Sequence, residues 1–252
     1  MTTKAFDTFF RDLLDIERFQ NFDSSLNGLQ VDNDGADVNI VAFAVDASLE
    51  TFKRALSVGA GMLFVHHGLL WGKRERFTGL LRERLAFLIK HNIALYAVHL
   101  PLDQNPTLGN NAVLARLLNV DSPKPFGWYH GVQIGYTGRL SSELTVDEAV
   151  QRISYLNRPP LNVYPFGVQK NRTVAIISGG AAFEAQQALE EAVDLYITGE
   201  MNHAVYHMVL EGKLNMIAGG HYNTETWGVR AVMDSCVQLP IRTEFIDVPT
   251  GL

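Results

Sequence analysis

Residues 39–46 read NIVAFAVD, residues 62–67 read MLFVHH, and residues 93–99 read IALYAVH. Each is a short apolar run closed by a polar residue, the pattern of a strand buried on both faces of a parallel sheet. Between them, SLETFKRALSVG (48–59) and LLRERLAFLIKHN (80–92) carry apolar residues at helical spacing. Strand, helix, strand, helix, strand is therefore predicted, a pair of βαβ units with right-handed crossovers.

The same order returns later in TVAIISGG (173–180), AFEAQQALEEAV (182–193), DLYITGE (194–200), HAVYHMVLEG (203–212) and LNMIAGGH (214–221). The two copies also end alike, in His99-Leu-Pro-Leu-Asp103 and His221-Tyr-Asn-Thr-Glu225, and a helical pattern follows each, at 108–118 and 225–237. The second strands end in His66-His67 and in Thr198-Gly199-Glu200. Ligands of open α/β sheets collect beyond the carboxyl ends of the strands. The predicted fold is α/β: two interlinked βαβαβ halves related by internal duplication, with a metal site in the cleft between them. The chain is expected to form a single unit, with internal halves of about 1–125 and 126–252.

Around this frame, MTTKAFDTFFRDLLDIERF at the start reads as an amphipathic helix with Phe6, Phe9, Phe10, Leu13 and Leu14 on one face. GVQIGYTGRL (131–140) reads as a strand with a turn, and LTVDEAVQRISYLN (144–157) as a helix capped at Thr145 or the residue before it, with Glu148 completing a capping box. LNVYPFG (161–167) and IRTEFIDV (241–248) read as strands, and SPKPFG (122–127) and NRPP (157–160) as turns.

A chain of 252 residues, 47% apolar and 19% charged, has ordinary globular composition and needs no disulfide to fold. Its net charge of −6 argues against nucleic acid as a partner. No apolar run reaches the ~18–20 residues of a membrane span, and the first residues lack the order of a signal peptide. The lone Cys236 reads as a buried helix position and suits a reducing, cytoplasmic setting, so metal ligands must come from His and carboxylates.

Two adjacent imidazoles at a strand end, where Gly68 permits a turn, can each reach one of two ions ~3.5–4 Å apart. The alternative is one buried and one exposed histidine. Asp103 is a natural turn residue taken alone, and becomes a ligand candidate beside His99 and the matching pattern at 221–225. Thr224 can cap the following helix with Glu225 at its first position, which explains the glutamate but not His221 after two glycines. His91 and His130 read as structural or solvated. His203 and His207 lie four apart on a helix without the neighbouring Glu of a zinc-protease motif. IISGGAAFE reads as a tight turn or, alternatively, an anion cradle. The basic run Lys73, Arg74 and Arg76 reads as a solvated loop or a phosphate contact.

The segments SLNGLQVD (25–32), FVHHGLLWG (64–72), AVHLPLDQNPTLGNN (97–111), LYITGE (195–200) and AGGHYNTETWGVRAV (218–232) together resemble the Nif-three-like family, often labelled GTP cyclohydrolase type 2 homologues. This chain matches the short form, without the inserted domain. The resemblance implies a dinuclear metal centre and a homohexamer built as a trimer of dimers. It implies one ion on His66, Asp103 and Glu225, and a second on His67, His221 and Glu225, with Glu225 bridging. His99 matches a family position near the metals, as a ligand, a supporting donor or a proton carrier. Where the family reads TPLD, this chain reads LPLD, one hydroxyl fewer.

Three histidines and two carboxylates suit Zn, Fe, Mn or Ni better than Ca. Two divalent ions against Asp103 and Glu225 leave a positive remainder that favours a small anionic substrate such as a nucleotide. Glu200, His99 or His207 would serve as general acid or base. The expected function is metal-dependent hydrolysis, with GTP ring opening as the reaction in the family label. Phosphoester or peptide hydrolysis at the same centre and a non-enzymatic scaffold or regulator are the alternatives.

Overall fold

The computed structural model describes residues 1–72 and 75–252. Helix α1 (Thr3–Leu14), strands β1 (Gly28–Val31) and β2 (Ile40–Asp46), α2 (Leu49–Ser57), β3 (Met62–His67), α3 (Gly79–Lys90) and β4 (Ala94–Ala97) come first. Then follow α4 (Leu100–Gln104), α5 (Asn110–Leu117), β5 (Val120–Tyr129), β6 (Val132–Leu144), α6 (Val146–Ile153) and β7 (Asn162–Pro165). The chain continues through β8 (Asn171–Ile176), α7 (Ala185–Glu190), β9 (Leu195–Thr198), α8 (Tyr206–Glu211), β10 (Asn215–Ala218), α9 (His221–Ser235) and β11 (Arg242–Phe245). Two compact units result, Met1–Leu102 with Val229–Val248 and Asp103–Gly228 with Pro249–Leu252. No helix among the described residues is long and apolar enough to cross a membrane.

The first unit holds a five-stranded sheet in the order β1-β4-β3-β2-β11. Alternation along the parallel strands sends Ala42, Leu63 and Leu95 into a cluster with Phe52 of α2 and Leu88 of α3. On their neighbours' side, Phe64 and Tyr96 meet Phe10 of α1 at ring separations of 5.0 and 5.1 Å. Helix α1 buries Phe6, Phe10 and Leu14, spaced four apart, while Phe9 and Leu13 are half-buried at its margin. Its start is capped by the Thr2 hydroxyl, which accepts from the Ala5 N–H, and it stops at Asp15 in the left-handed region.

The second unit holds a six-stranded sheet in the order β5-β6-β8-β9-β10-β7. Val174, Ile176, Leu195, Ile197 and Ile217 pack beneath Leu114 of α5, Leu118 just after it, and Ala149 and Ile153 of α6. The expected capping box is present: the Thr145 hydroxyl accepts from the Glu148 N–H, and the Glu148 carboxylate accepts from the Thr145 N–H.

The strand orders agree with a duplication. In each sheet three parallel strands lie in chain order, β2-β3-β4 and β8-β9-β10. Beside each third strand an earlier strand, β1 or β7, pairs antiparallel. The sheets differ at the opposite edge, where β11 runs parallel to β2 but β6 runs antiparallel to β8.

Four local expectations are corrected. SPKPFG is part of the edge strand β5, with a bulge between Asp121 and Lys124, because only one side of an edge strand needs the N–H that proline lacks. The unit boundary falls after Leu102, since α5 and β5 belong with β6. Helix α9 begins at His221, so Thr224 is no cap: its hydroxyl donates back to carbonyls of the preceding turn and accepts from the Gly179 N–H. Gly68 serves space, not a turn, because a Cβ there would meet the Ala97 Cβ at 2.6 Å and collide with the Gln30 amide. Of the basic run, Lys73 and Arg74 lie outside the described residues and Arg76 is exposed.

Candidate metal centre

In the first unit, His66 and His67 are the last residues of β3, and His99 follows β4 by two residues. Their rings are 4.6, 5.1 and 5.7 Å apart, and one ring nitrogen of each lies within 4.8 Å of the others. Every Nδ1 is held by an oxygen: His66 by the Val98 carbonyl at 2.9 Å, His67 by Asp46 at 2.8 Å, and His99 by Asp23 at 2.9 Å. Carbonyls and carboxylates only accept, so each Nδ1 carries a proton, and a neutral ring then has its lone pair on Nε2. His66 is fully buried, whereas His67 and His99 each keep 20% of the side chain exposed. Trp71 donates its indole N–H to the Gly68 carbonyl and stands edge-on to His99 at 5.0 Å.

Asp23 is a buried carboxylate. Burial opposes its ionisation, but hydrogen bonds from His99, Asn27 and Ser25 outweigh burial and hold it below the usual carboxylate range.

In the second unit, His221 and Glu225 lie one turn apart on α9, which places the His221 Nε2 3.1 Å from a Glu225 oxygen. The His221 Nδ1 is hydrogen-bonded to Glu200, so this ring has the same tautomer as the other three. A neutral His221 then sets a nitrogen lone pair against a carboxylate, an arrangement that a proton on Nε2 or a cation stabilises. Asp103, buried on α4, accepts from Asn110 and from the Ser178 hydroxyl, both at 2.9 Å on the same oxygen. A carboxylate oxygen of Asp103 lies within 4.8 Å of one of Glu225. Gly179, at φ +70°, passes so close that a Cβ would collide with Glu225.

Imidazoles donating one N–H to oxygen while the other nitrogen keeps its lone pair are the usual form of metal-ligating histidine. The donors therefore fit a transition metal, and the His, Asp and Glu clusters are able to bind one. Within the first unit the structure brings His66, His67 and His99 together, and within the second unit His221, Glu225, Asp103 and Glu200. His207 is exposed on α8, against Tyr206, and joins neither set. One oxygen of Glu200 accepts from the His221 Nδ1, and its side chain is partly exposed. The glycine-rich turn is no open anion cradle, because the Gly179 and Ala181 amides donate to Thr224 and Thr198.

Sequence reasoning missed Asp23, Asp46, Asn110 and Ser178. Asp46 had a signal: it closes a strand adjacent to the one that ends in His67, and the two are register partners. Asp23 had none, because it meets His99 from 76 residues away.

A family model described as Duf34/NIF3 (NGG1p interacting factor 3) matches residues 1–249. A protein of Archaeoglobus fulgidus named GTP cyclohydrolase 1 type 2 homolog is 42% identical over 97% of this chain and 97% of its own. A Pyrococcus horikoshii protein of the same name is 43% identical over the same shares. Among solved structures, the crystal structure of a Thermus thermophilus protein covers 100% of both chains at 37% identity, with a TM-score of 0.87.

Proposed function

Since the chain belongs to the Duf34/NIF3 family, we propose that it is a metal-dependent hydrolase acting on a small anionic molecule. Ring opening of GTP is the first candidate reaction, on the name its relatives carry. In this reading His66, Asp103 and Glu225 hold one divalent cation, and His67, His221 and Glu225 hold a second. The observation that carries it is the shared tautomer of His66, His67, His99 and His221, each with Nδ1–H on an oxygen. A cation held by both would also stabilise the 3.1 Å approach of the His221 Nε2 to Glu225.

When bound, two divalent ions make water nucleophilic near neutral pH and polarise a substrate oxygen. Zn, Fe, Mn and Ni all accept this donor set. Asp46 and Glu200 hold His67 and His221 in the ligating tautomer. Together with Asp23 they more than offset the positive remainder expected from Asp103 and Glu225 alone. An anion is then recognised through open coordination positions and not through net charge.

The test is elemental analysis of protein purified without added metal, followed by a hydrolysis screen over nucleotides, phosphoesters and peptides. About two metal ions per chain and a chelator-sensitive activity are expected. A fully loaded protein inactive across the screen would favour the non-enzymatic scaffold. The family resemblance further supports a cytoplasmic homohexamer, a trimer of dimers.

A further inference from the structure

Asp23 and Asn27 belong to a loop that carries no ligand in the reading above, yet both bind His99. The Asp23 side chain is 1% exposed. One of its oxygens accepts from the His99 Nδ1 at 2.9 Å and from the Ser25 N–H at 2.9 Å. The other accepts from the Leu100 N–H at 2.9 Å and from the Asn27 amide at 2.8 Å. Asn27 returns its own oxygen to the His99 backbone N–H at 2.7 Å. Main chain and ring of one histidine are thus clamped by two neighbouring polar side chains, and a Leu26 N–H to Leu70 carbonyl bond at 2.9 Å ties the loop down. Such a clamp costs a buried carboxylate, which packing alone does not require.

We propose that Asp23 is a positioning residue: with Asn27 it locks His99 in the Nδ1–H tautomer and presents Nε2 as a proton acceptor beside the imidazoles of His66 and His67. The arrangement is a carboxylate–imidazole pair in which the carboxylate fixes tautomer and orientation without taking the proton itself. The role rests on the hydrolase reading in one respect, that the proton comes from the attacking water. Nε2 takes it as the new bond to oxygen forms, and returns it to the leaving group as the old bond breaks. His99 is the histidine left for this task, because the reading above gives the remaining nitrogens of His66, His67 and His221 to the cations once their Nδ1 atoms are held by the Val98 carbonyl, Asp46 and Glu200.

Asp23→Asn tests this with little change of shape. Turned towards Leu100 and Asn27, the new NH2 group would face two donors; turned towards His99 it faces one, Ser25, and a ring able to change tautomer. The substitution should therefore move the His99 proton to Nε2 and abolish the acceptor. The primary readout is the nitrogen NMR signature of His99 in zinc-loaded full-length protein at pH 8, which needs no activity. Wild type should show protonated Nδ1 and unprotonated, unligated Nε2, and Asp23→Asn the reverse, with zinc content unchanged. Where a hydrolysed substrate is in hand, kcat should fall on the order of 10²–10⁴-fold with KM nearly constant. A wild-type Nε2–H tautomer, or a zinc-ligated Nε2, would overturn the proposal even if Asp23→Asn fails to fold. So would an Asp23→Asn protein that keeps the wild-type signature. Absence of any hydrolysis with the predicted tautomers intact would instead count against the hydrolase reading alone.

Discussion

Gly179→Ala is the sharpest test of how the second unit's donors are held. Gly179 sits at φ +70°, and an added Cβ would collide with one Glu225 oxygen while lying 3.3 Å from the Glu225 Cδ and 3.2 Å from the His221 Nε2. The left-handed backbone alone costs an L-residue roughly 1–2 kcal/mol. Relief of the clash requires the buried Glu225 carboxylate to retreat by about 1 Å, a displacement large enough to spoil a metal site. Combined, about 2–4 kcal/mol should be lost, lowering the melting temperature by roughly 4–15 °C for a chain of this size. Gly180→Ala is the matched control: its nearest neighbours would be 3.6–3.7 Å away, ordinary contact, and its φ lies outside the left-handed region. Thermal melts of metal-free protein isolate the backbone and steric part, and metal content after loading reads the displacement of Glu225. A Gly179→Ala protein with full metal content and unchanged melting, or equal damage from both substitutions, would refute the reasoning.

Glu225→Ala should lower occupancy of both metal positions, whereas His67→Ala should lower mainly one; full metal content in the Glu225 variant would sink the bridging role. Cys236 is fully buried, and burial pushes its thiol up to about 11. The stability it contributes is therefore complete below the ordinary thiol pKa and is lost as pH rises towards 11, and alkylation of native protein at pH 8 should be at least on the order of 10²-fold slower than of unfolded protein. Equal alkylation rates in the two states would contradict this. Light scattering at micromolar concentration should report a hexamer; monomer alone would remove that proposal.

What the amino-acid order determined by itself was everything governed by neighbours along the chain. Buried strands announced themselves as apolar runs, the capping box at Thr145 and Glu148 as a local exchange of hydrogen bonds, and α1 as aromatics four residues apart. The repeated His-x-x-x-acid spacing by itself singles out His99, Asp103, His221 and Glu225. Only the tertiary structure decided that His221 and Glu225 share a helix turn, since α9 starts four residues earlier than local capping signals imply. It also decided that two prolines sit in an edge strand and that β11 returns to pair with β2, because strand partners are chosen by long-range closure and not by local periodicity. The carboxylates behind the imidazoles belong to the same class. Asp23 lies 76 residues from His99, Asp46 lies 21 from His67, and Glu200 lies 21 from His221. No sequence spacing encodes such contacts; they exist because the folded sheets carry distant loops to the same strand ends.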